Sequence, residues 1–120
     1  MQTSVSKQSC LNVVFKISPN WSYAKKFTIR AEMNESVSGE MSCERIHSDC
    51  IKLVSCCILK KGLNLQTLMC KELIHLLKGT CKQLVCDASV SDFSTLTNLG
   101  SCGFSPVKCT GDILTLSLIL

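Results

Sequence analysis

The apolar residues of this chain follow one period up to residue 31 and another from residue 43, and that change constrains the fold more than any other feature. Leu11, Val13, Phe15 and Ile17 share one parity, the period of a strand with one buried face. Ser18-Pro19-Asn20 supplies turn chemistry. Trp21, Tyr23, Phe27, Ile29 and Ala31 then share a parity again, broken only by Lys25. The pattern predicts a β-hairpin over residues 11–31.

Residues 33–42 carry Asn, Glu, Ser and Gly without a period and read as a linker. From Cys43 the spacing becomes helical: Cys43, Ile46, Cys50, Leu53 and Cys57 recur at intervals of three and four, with Glu44, Arg45, Ser48, Asp49, Lys52 and Ser55 elsewhere. Lys60 and Lys61 suit the negative end of a helix dipole, and Gly62 suits a C-terminal cap. Asn64 can cap a second helix through Leu65, Leu68, Met69, Leu73, Leu76 and Leu77, ending at Lys78-Gly79. Residues 43–78 therefore read as a central αα-hairpin.

After Gly79 the signal weakens. Residues 83–86 suit a short strand, residues 87–111 are rich in turn formers, and Leu114, Leu116, Leu118 and Leu120 alternate as a final strand. The fold class expected is α+β in one small domain spanning 1–120: an N-terminal β-hairpin, a central αα-hairpin, and an irregular 80–120 segment ending in a short strand.

Composition bears on what fills the core. Only 5% of residues are aromatic while 46% are hydrophobic, so the core must come from Leu, Ile, Val and Cys. The ten cysteines approach the density of a disulfide scaffold. The first residues, Met-Gln-Thr-Ser-Val-Ser-Lys, lack the apolar run of a secretory leader, and no apolar run reaches the roughly 18 residues of a membrane span. The expected location is therefore the cytoplasm, with the nucleus as a second option, where thiols stay free. Secretion follows only if a leader has been removed; the sequons at Asn20 and Asn34 would then accept glycans.

The sharpest chemical constellation is Cys43-x3-His47-x2-Cys50. On a helix these positions line one face, so two thiolates and an imidazole could bind zinc. A fourth ligand is missing, because Cys57 would lie about 10 Å further along a straight helix. The same cysteines also complete the apolar stripe with Ile46 and Leu53, as small core hydrophobes do. No other cofactor is expected. His75 falls beside Lys71 and Lys78, on a polar helix side. No G-x-S-x-G elbow, phosphate-cradling glycine loop or H-E-x-x-H occurs, so an enzyme is not expected.

The net charge of +4 is spread over isolated lysines and the pairs Lys25-Lys26 and Lys60-Lys61, which does not make a nucleic-acid footprint. Ile58-Leu59-Lys60-Lys61-Gly62 resembles a corner between two helices of caspase-recruitment domains. Cys102-Gly103-Phe104-Ser105 with Cys109 resembles a stretch of ribonuclease-inhibitor-like leucine-rich repeats. Neither resemblance carries a functional residue. The expectation from sequence is a non-enzymatic intracellular protein that binds a protein partner through its helical hairpin. Its alternatives are a secreted disulfide-bonded factor and the product of a recently arisen reading frame.

Overall fold

The computed structural model describes residues 13–59 and 64–120. Leu11 and Asn12 of the predicted hairpin, and Lys60 to Leu63, lie outside the described residues. The elements run β1 (Val13–Ile17), β2 (Lys26–Met33), β3 (Ser36–His47), β4 (Cys50–Ile58), α1 (Leu65–Leu77), β5 (Gln83–Ser89), α2 (Phe93–Ser101), β6 (Ser105–Thr110) and β7 (Ile113–Ile119). The strands form a seven-stranded sheet in the order β1-β2-β3-β4-β5-β7-β6.

This architecture corrects the expected α+β arrangement of a hairpin followed by an αα-hairpin. β1 and β2 do pair antiparallel, with Phe15 opposite Ala31 and Ile17 opposite Ile29. The first predicted helix does not exist: residues 43–58 belong to the β3–β4 hairpin. Two irregularities explain the false helical spacing. The β3–β4 register passes from Cys43↔Leu53 to Ser42↔Ser55 and from Arg45↔Ile51 to His47↔Cys50, leaving Val54 and Ile46 as extra residues. Each bulge turns an interval of two into an interval of three. Along β4 the apolar face consequently reads Ile51, Leu53, Cys56, Ile58, and a strand with such a step mimics a helix in sequence.

The supposed linker 33–42 is also strand, joined by a two-residue turn with Met33 opposite Ser36. Both turn residues have positive φ, Asn34 at 52° and Glu35 at 66°, as the twist-matched hairpin turn demands. Glu is a poor choice there, and its presence hid the turn. In the C-terminal part the expected irregularity is replaced by α2 and β6. The Asp92 carboxylate accepts from the Thr95 backbone N–H at 3.2 Å and starts α2 as an N-cap. β6 is exposed throughout; a sheet-edge strand tolerates Pro106 and shows no alternation.

The second predicted helix is α1, starting after Asn64 and stopping at Lys78. A parallel β4–β5 pair needs a crossover, and α1 supplies it. Its Leu65, Met69, Leu73 and Leu77 pack on Ile29, Met41, Ile51 and Leu84 of the sheet, all nearly or fully buried. The approach is closest over Gly39, where a Cβ would meet the Met69 sulfur at 2.9 Å and Leu65 at 3.2 Å. The opposite sheet face is polar and carries the ion pairs Lys16–Glu32, Arg30–Glu40 and Lys52–Asp87.

Glu35→Gly removes a side chain from a left-handed residue, where a non-glycine costs about 1–2 kcal/mol, partly offset by glycine's larger chain entropy. The expected outcome is a gain of about 0.5–1 kcal/mol, seen as a denaturation midpoint raised by about 2–4 °C. An unchanged or lower midpoint would show that the turn is not strained.

Candidate active site

The parallel pair β4–β5 is short. Cys50, Ile51, Lys52 and Leu53 register with Gln83, Leu84, Val85 and Cys86, and there the pairing stops. β4 stays with β3 as far as Ile58, and β5 stays with β7 as far as Ser89. The sheet therefore forks beyond Leu53 and Cys86. The extra residue Val54 directly follows the last parallel pair, and a bulge bends and twists the strand that carries it.

The other end of the pair is clamped. The Asp49 carbonyl accepts from the Lys82 N–H at 2.9 Å, the Gln83 N–H at 3.0 Å and the Cys81 thiol at 3.1 Å. Closed at one end and open at the other, the two strands make a crevice at their C-terminal ends, the usual ligand position in sheets with parallel strands.

A cavity of about 120 Å³ occupies the fork, lined by Leu53 to Cys56 of β4, Cys86 and Asp87 of β5, Gln66 of α1, and Thr95 and Leu99 of α2. Val54 and Ser55 also border a groove of about 440 Å³ with Ser18, Lys26, Thr28, Ser42 and Glu44. Crevice and groove thus share residues at the bulge. A larger depression of about 580 Å³ beside Asn34 and Glu35 is an open edge without a nucleophile.

Burial governs the thiols here. It pushes Cys56 up to about 11, helped by Cys57 and Cys86, and pushes Cys86 up to about 11, helped by the Asp87 carboxylate and opposed by Lys52. Burial likewise raises Cys43 to about 12. These thiols are small hydrophobes at neutral pH, not nucleophiles. Asp87 is held below the usual carboxylate range, first by the Thr115 hydroxyl at 2.7 Å and then by the Lys52 ammonium at 3.2 Å. It is a fixed negative charge matched by a lysine.

The zinc candidates lie elsewhere. Cys43 faces the core opposite Leu53, whereas His47 and Cys50 are cross-strand partners at the β3–β4 turn. Four residue steps along the strand separate Cys43 from His47 by about 13 Å. Among the described residues no group of three or more His, Cys, Asp or Glu side chains is placed to hold a metal ion. Sequence reasoning missed the crevice because its residues come from four elements and carry no motif. The available signal was an apolar strand followed by Gly62, Asn64 and a helix, which the helical reading of residues 43–61 concealed.

No family model and no curated protein matches the sequence. Solved structures do match the fold. A GNAT family acetyltransferase from Elizabethkingia anophelis with acetyl-CoA bound aligns with a TM-score of 0.75 at 12% identity, over 91% of this chain and 99% of that one. IAA acetyltransferase from Bacillus cereus aligns with a TM-score of 0.77 at 14% identity, over 90% and 99%. Campylobacter jejuni N-acetyltransferase PseH with acetyl coenzyme A aligns at 0.68 and 15% identity, over 80% and 69%.

The chain therefore has the GNAT acetyltransferase fold. That finding runs against the expectation of a non-enzymatic protein-binding module without an organic cofactor, since the similar solved chains are acetyltransferases, two of them with acetyl-CoA bound. It also removes the reading of a cysteine-rich scaffold, since the nine cysteines among the described residues are all free. The caspase-recruitment and leucine-rich-repeat resemblances end here as well: Ile58 closes a strand rather than a helix, and Cys109 lies in the edge strand β6, which follows α2. Among the described residues no helix is long and apolar enough to cross a membrane.

The burial of the thiols makes a prediction. A thiol shifted to about 11 is thiolate in only about one molecule in ten thousand at pH 7. Alkylation of native protein, mapped by peptide mass, should label exposed Cys57 and Cys109 well before Cys56 and Cys86. Equal rates for Cys56 and Cys57 would contradict the burial of the Cys56 thiol.

Proposed function

We propose that this chain binds acetyl-CoA, or a closely related acyl-CoA, in the β4–β5 crevice and transfers its acyl group to an amine. The observation that carries the reading is the fork beyond Leu53 and Cys86, which leaves the facing strand edges without each other as partners. Those edges can hydrogen-bond an extended amide-bearing chain.

The fit at the phosphate end rests on α1. Asn64 stands in the left-handed region at φ 53°, its own side chain makes no capping bond to the helix backbone, and the first turn has no acidic residue. The Asn64 side chain instead accepts from the Thr67 hydroxyl at 3.1 Å. Uncapped first-turn N–H groups and the positive dipole end favour an anion. The helix begins at the crevice, because Gln66 lines the cavity. Similar solved chains carry acetyl-CoA in their crystals, which supports the same ligand class here.

When bound, an acyl-CoA supplies an activated thioester. The chain's own residues do the rest. Leu53, Cys56, Cys86 and Leu99 exclude water from the fork. The first-turn N–H groups of α1 orient the phosphates, and the groove through Ser55 and Val54 admits the acceptor from the polar sheet face. Cys56 and Cys86 are held neutral, so neither serves as a covalent acyl carrier. With no protein acyl carrier, the acceptor amine would take the acyl group directly, its C–N bond forming as the thioester C–S bond breaks and its proton ending on the released CoA thiol.

Gln66→Glu separates binding from folding. The new carboxylate still accepts the hydrogen bond that Asn98 now donates to Gln66, and it suits the helix dipole, so stability should hold or rise by a few tenths of a kcal/mol. Affinity for acetyl-CoA, measured by titration calorimetry, should fall about tenfold, equivalent to about 1.4 kcal/mol. Turnover should be followed by mass of acetylated amines, because the exposed Cys57 and Cys109 would themselves react with thiol dyes. Absence of binding at millimolar acetyl-CoA would sink the proposal.

A further inference from the structure

The polar face of the sheet carries an ordered line of charge at the foot of the fork. Lys26 on β2 registers with Glu44 on β3, and Glu44 registers with Lys52 on β4. Lys52 reaches Asp87 on β5 at 3.2 Å. Asp87 registers with Thr115 on β7, and Thr115 with Lys108 on β6. From Lys26 to Lys108 the charges alternate in sign, and the line begins and ends on a cation. Among the described residues neither end lysine forms an ion pair; Glu44 is met instead by Lys25, at 4.0 Å.

A row of hydroxyls lies one step nearer the open end of the fork. Thr28 registers with Ser42, and Ser42 with Ser55. The Ser18 hydroxyl lies 2.9 Å from Thr28 Oγ1 and accepts from the Thr28 backbone N–H at 2.9 Å. Ser18 and Thr28 are thus engaged with each other, which leaves Ser42 and Ser55 facing the groove. Lys26, Glu44, Ser42 and Ser55 all line that groove of about 440 Å³, and Ser55 also borders the fork cavity. The groove therefore leads from the Lys26 cation, past the Glu44 carboxylate, to the fork. Lys26 and Ser55 are two residues apart along the strands and two strand spacings apart across them, about 12 Å between Cα positions.

We propose that this groove selects the acyl acceptor, and that the acceptor is a small amine with a carboxylate about four bonds from its nitrogen, an ω-amino acid. The carboxylate seats on the Lys26 ammonium at the outer end, while the amine lies between Glu44 and Ser55 at the fork and donates to both. The lysine stem covers roughly half of the span and the ligand the rest. The order of charges, cation outside and carboxylate inside, matches a ligand with an anionic tail and a basic head. A diamine would bring like charge to Lys26, and an amine with an apolar tail would leave Lys26 unpaired.

The transfer step rests on the acyl-CoA reading of the fork; the binding step does not. Once bound, the ammonium gives one proton to solvent. The nitrogen forms its bond to the acyl carbon as the thioester C–S bond breaks, and its second proton ends on the CoA thiol. The product is an N-acyl amino acid.

The test uses the full chain with γ-aminobutyrate, butylamine and putrescine, which have similar length and differ in the tail, and with glucosamine as a hydroxyl-rich amine. Binding is read without CoA from amide NMR shifts, and transfer with acetyl-CoA by mass of the acylated amine. γ-Aminobutyrate should shift the amides of Thr28, Ser42 and Ser55 and bind about fivefold more tightly than butylamine, the upper range for one exposed ion pair. Putrescine should bind more weakly still. Lys26→Gln should erase the preference, bringing γ-aminobutyrate down to the level of butylamine. Tighter binding of putrescine or glucosamine, or a preference that survives Lys26→Gln, would overturn the proposal whether or not acetyl-CoA binds. Selective binding of γ-aminobutyrate with no transfer would support the ligand class and count against acyl transfer alone.

Discussion

The bulge at Val54 is the feature on which the rest of this structure turns. It falls one residue after the last parallel contact, Leu53 with Cys86, and bends β4 with β3 while β5 stays with β7. Without it, β4 and β5 could continue as a parallel ladder and close the crevice. With it, the strand keeps Cys56 and Ile58 on the core face despite the break in alternation. One extra residue both preserves the core and opens the site.

The fork holds its shape because three sets of contacts surround it. Below, the Asp49 carbonyl gathers donors from Cys81, Lys82 and Gln83. On the polar face, Lys52 pairs with Asp87 across the junction at 3.2 Å. On the helix face, Gln66 and Asn98 join α1 to α2 at 2.8 Å. An exposed ion pair contributes little by itself. The clamp at Asp49 and the packing of α1 on Ile29, Met41, Ile51 and Leu84 carry most of the rigidity.

The cysteines take their place within the same frame. With few aromatic residues available, the core uses thiols as small hydrophobes: Cys43, Cys50, Cys70, Cys81 and Cys86 are all buried. Those facing the fork, Cys56 and Cys86, are kept neutral by burial and so are poor nucleophiles at neutral pH.

Local sequence determined much of the edge structure. Alternation at Phe15, Ile17, Ile29 and Ala31 specifies β1 and β2, the Leu114–Leu120 alternation specifies β7, and Asn64 to Gly79 specifies α1, because each pattern arises within one element. Between residues 43 and 58 the sequence pointed to a helix, since two bulges gave a strand hairpin the spacing of an amphipathic helix. The turn at Asn34-Glu35 and the edge strand β6 were hidden for similar reasons, an untypical turn residue in one case and the lack of a buried face in the other. The crevice was not legible at all: Val54, Gln66, Cys86 and Leu99 become neighbours only when α1 carries the chain across to pair β5 with β4. Only the tertiary structure decided where that pairing stops, because the stop depends on β3 holding one strand and β7 the other.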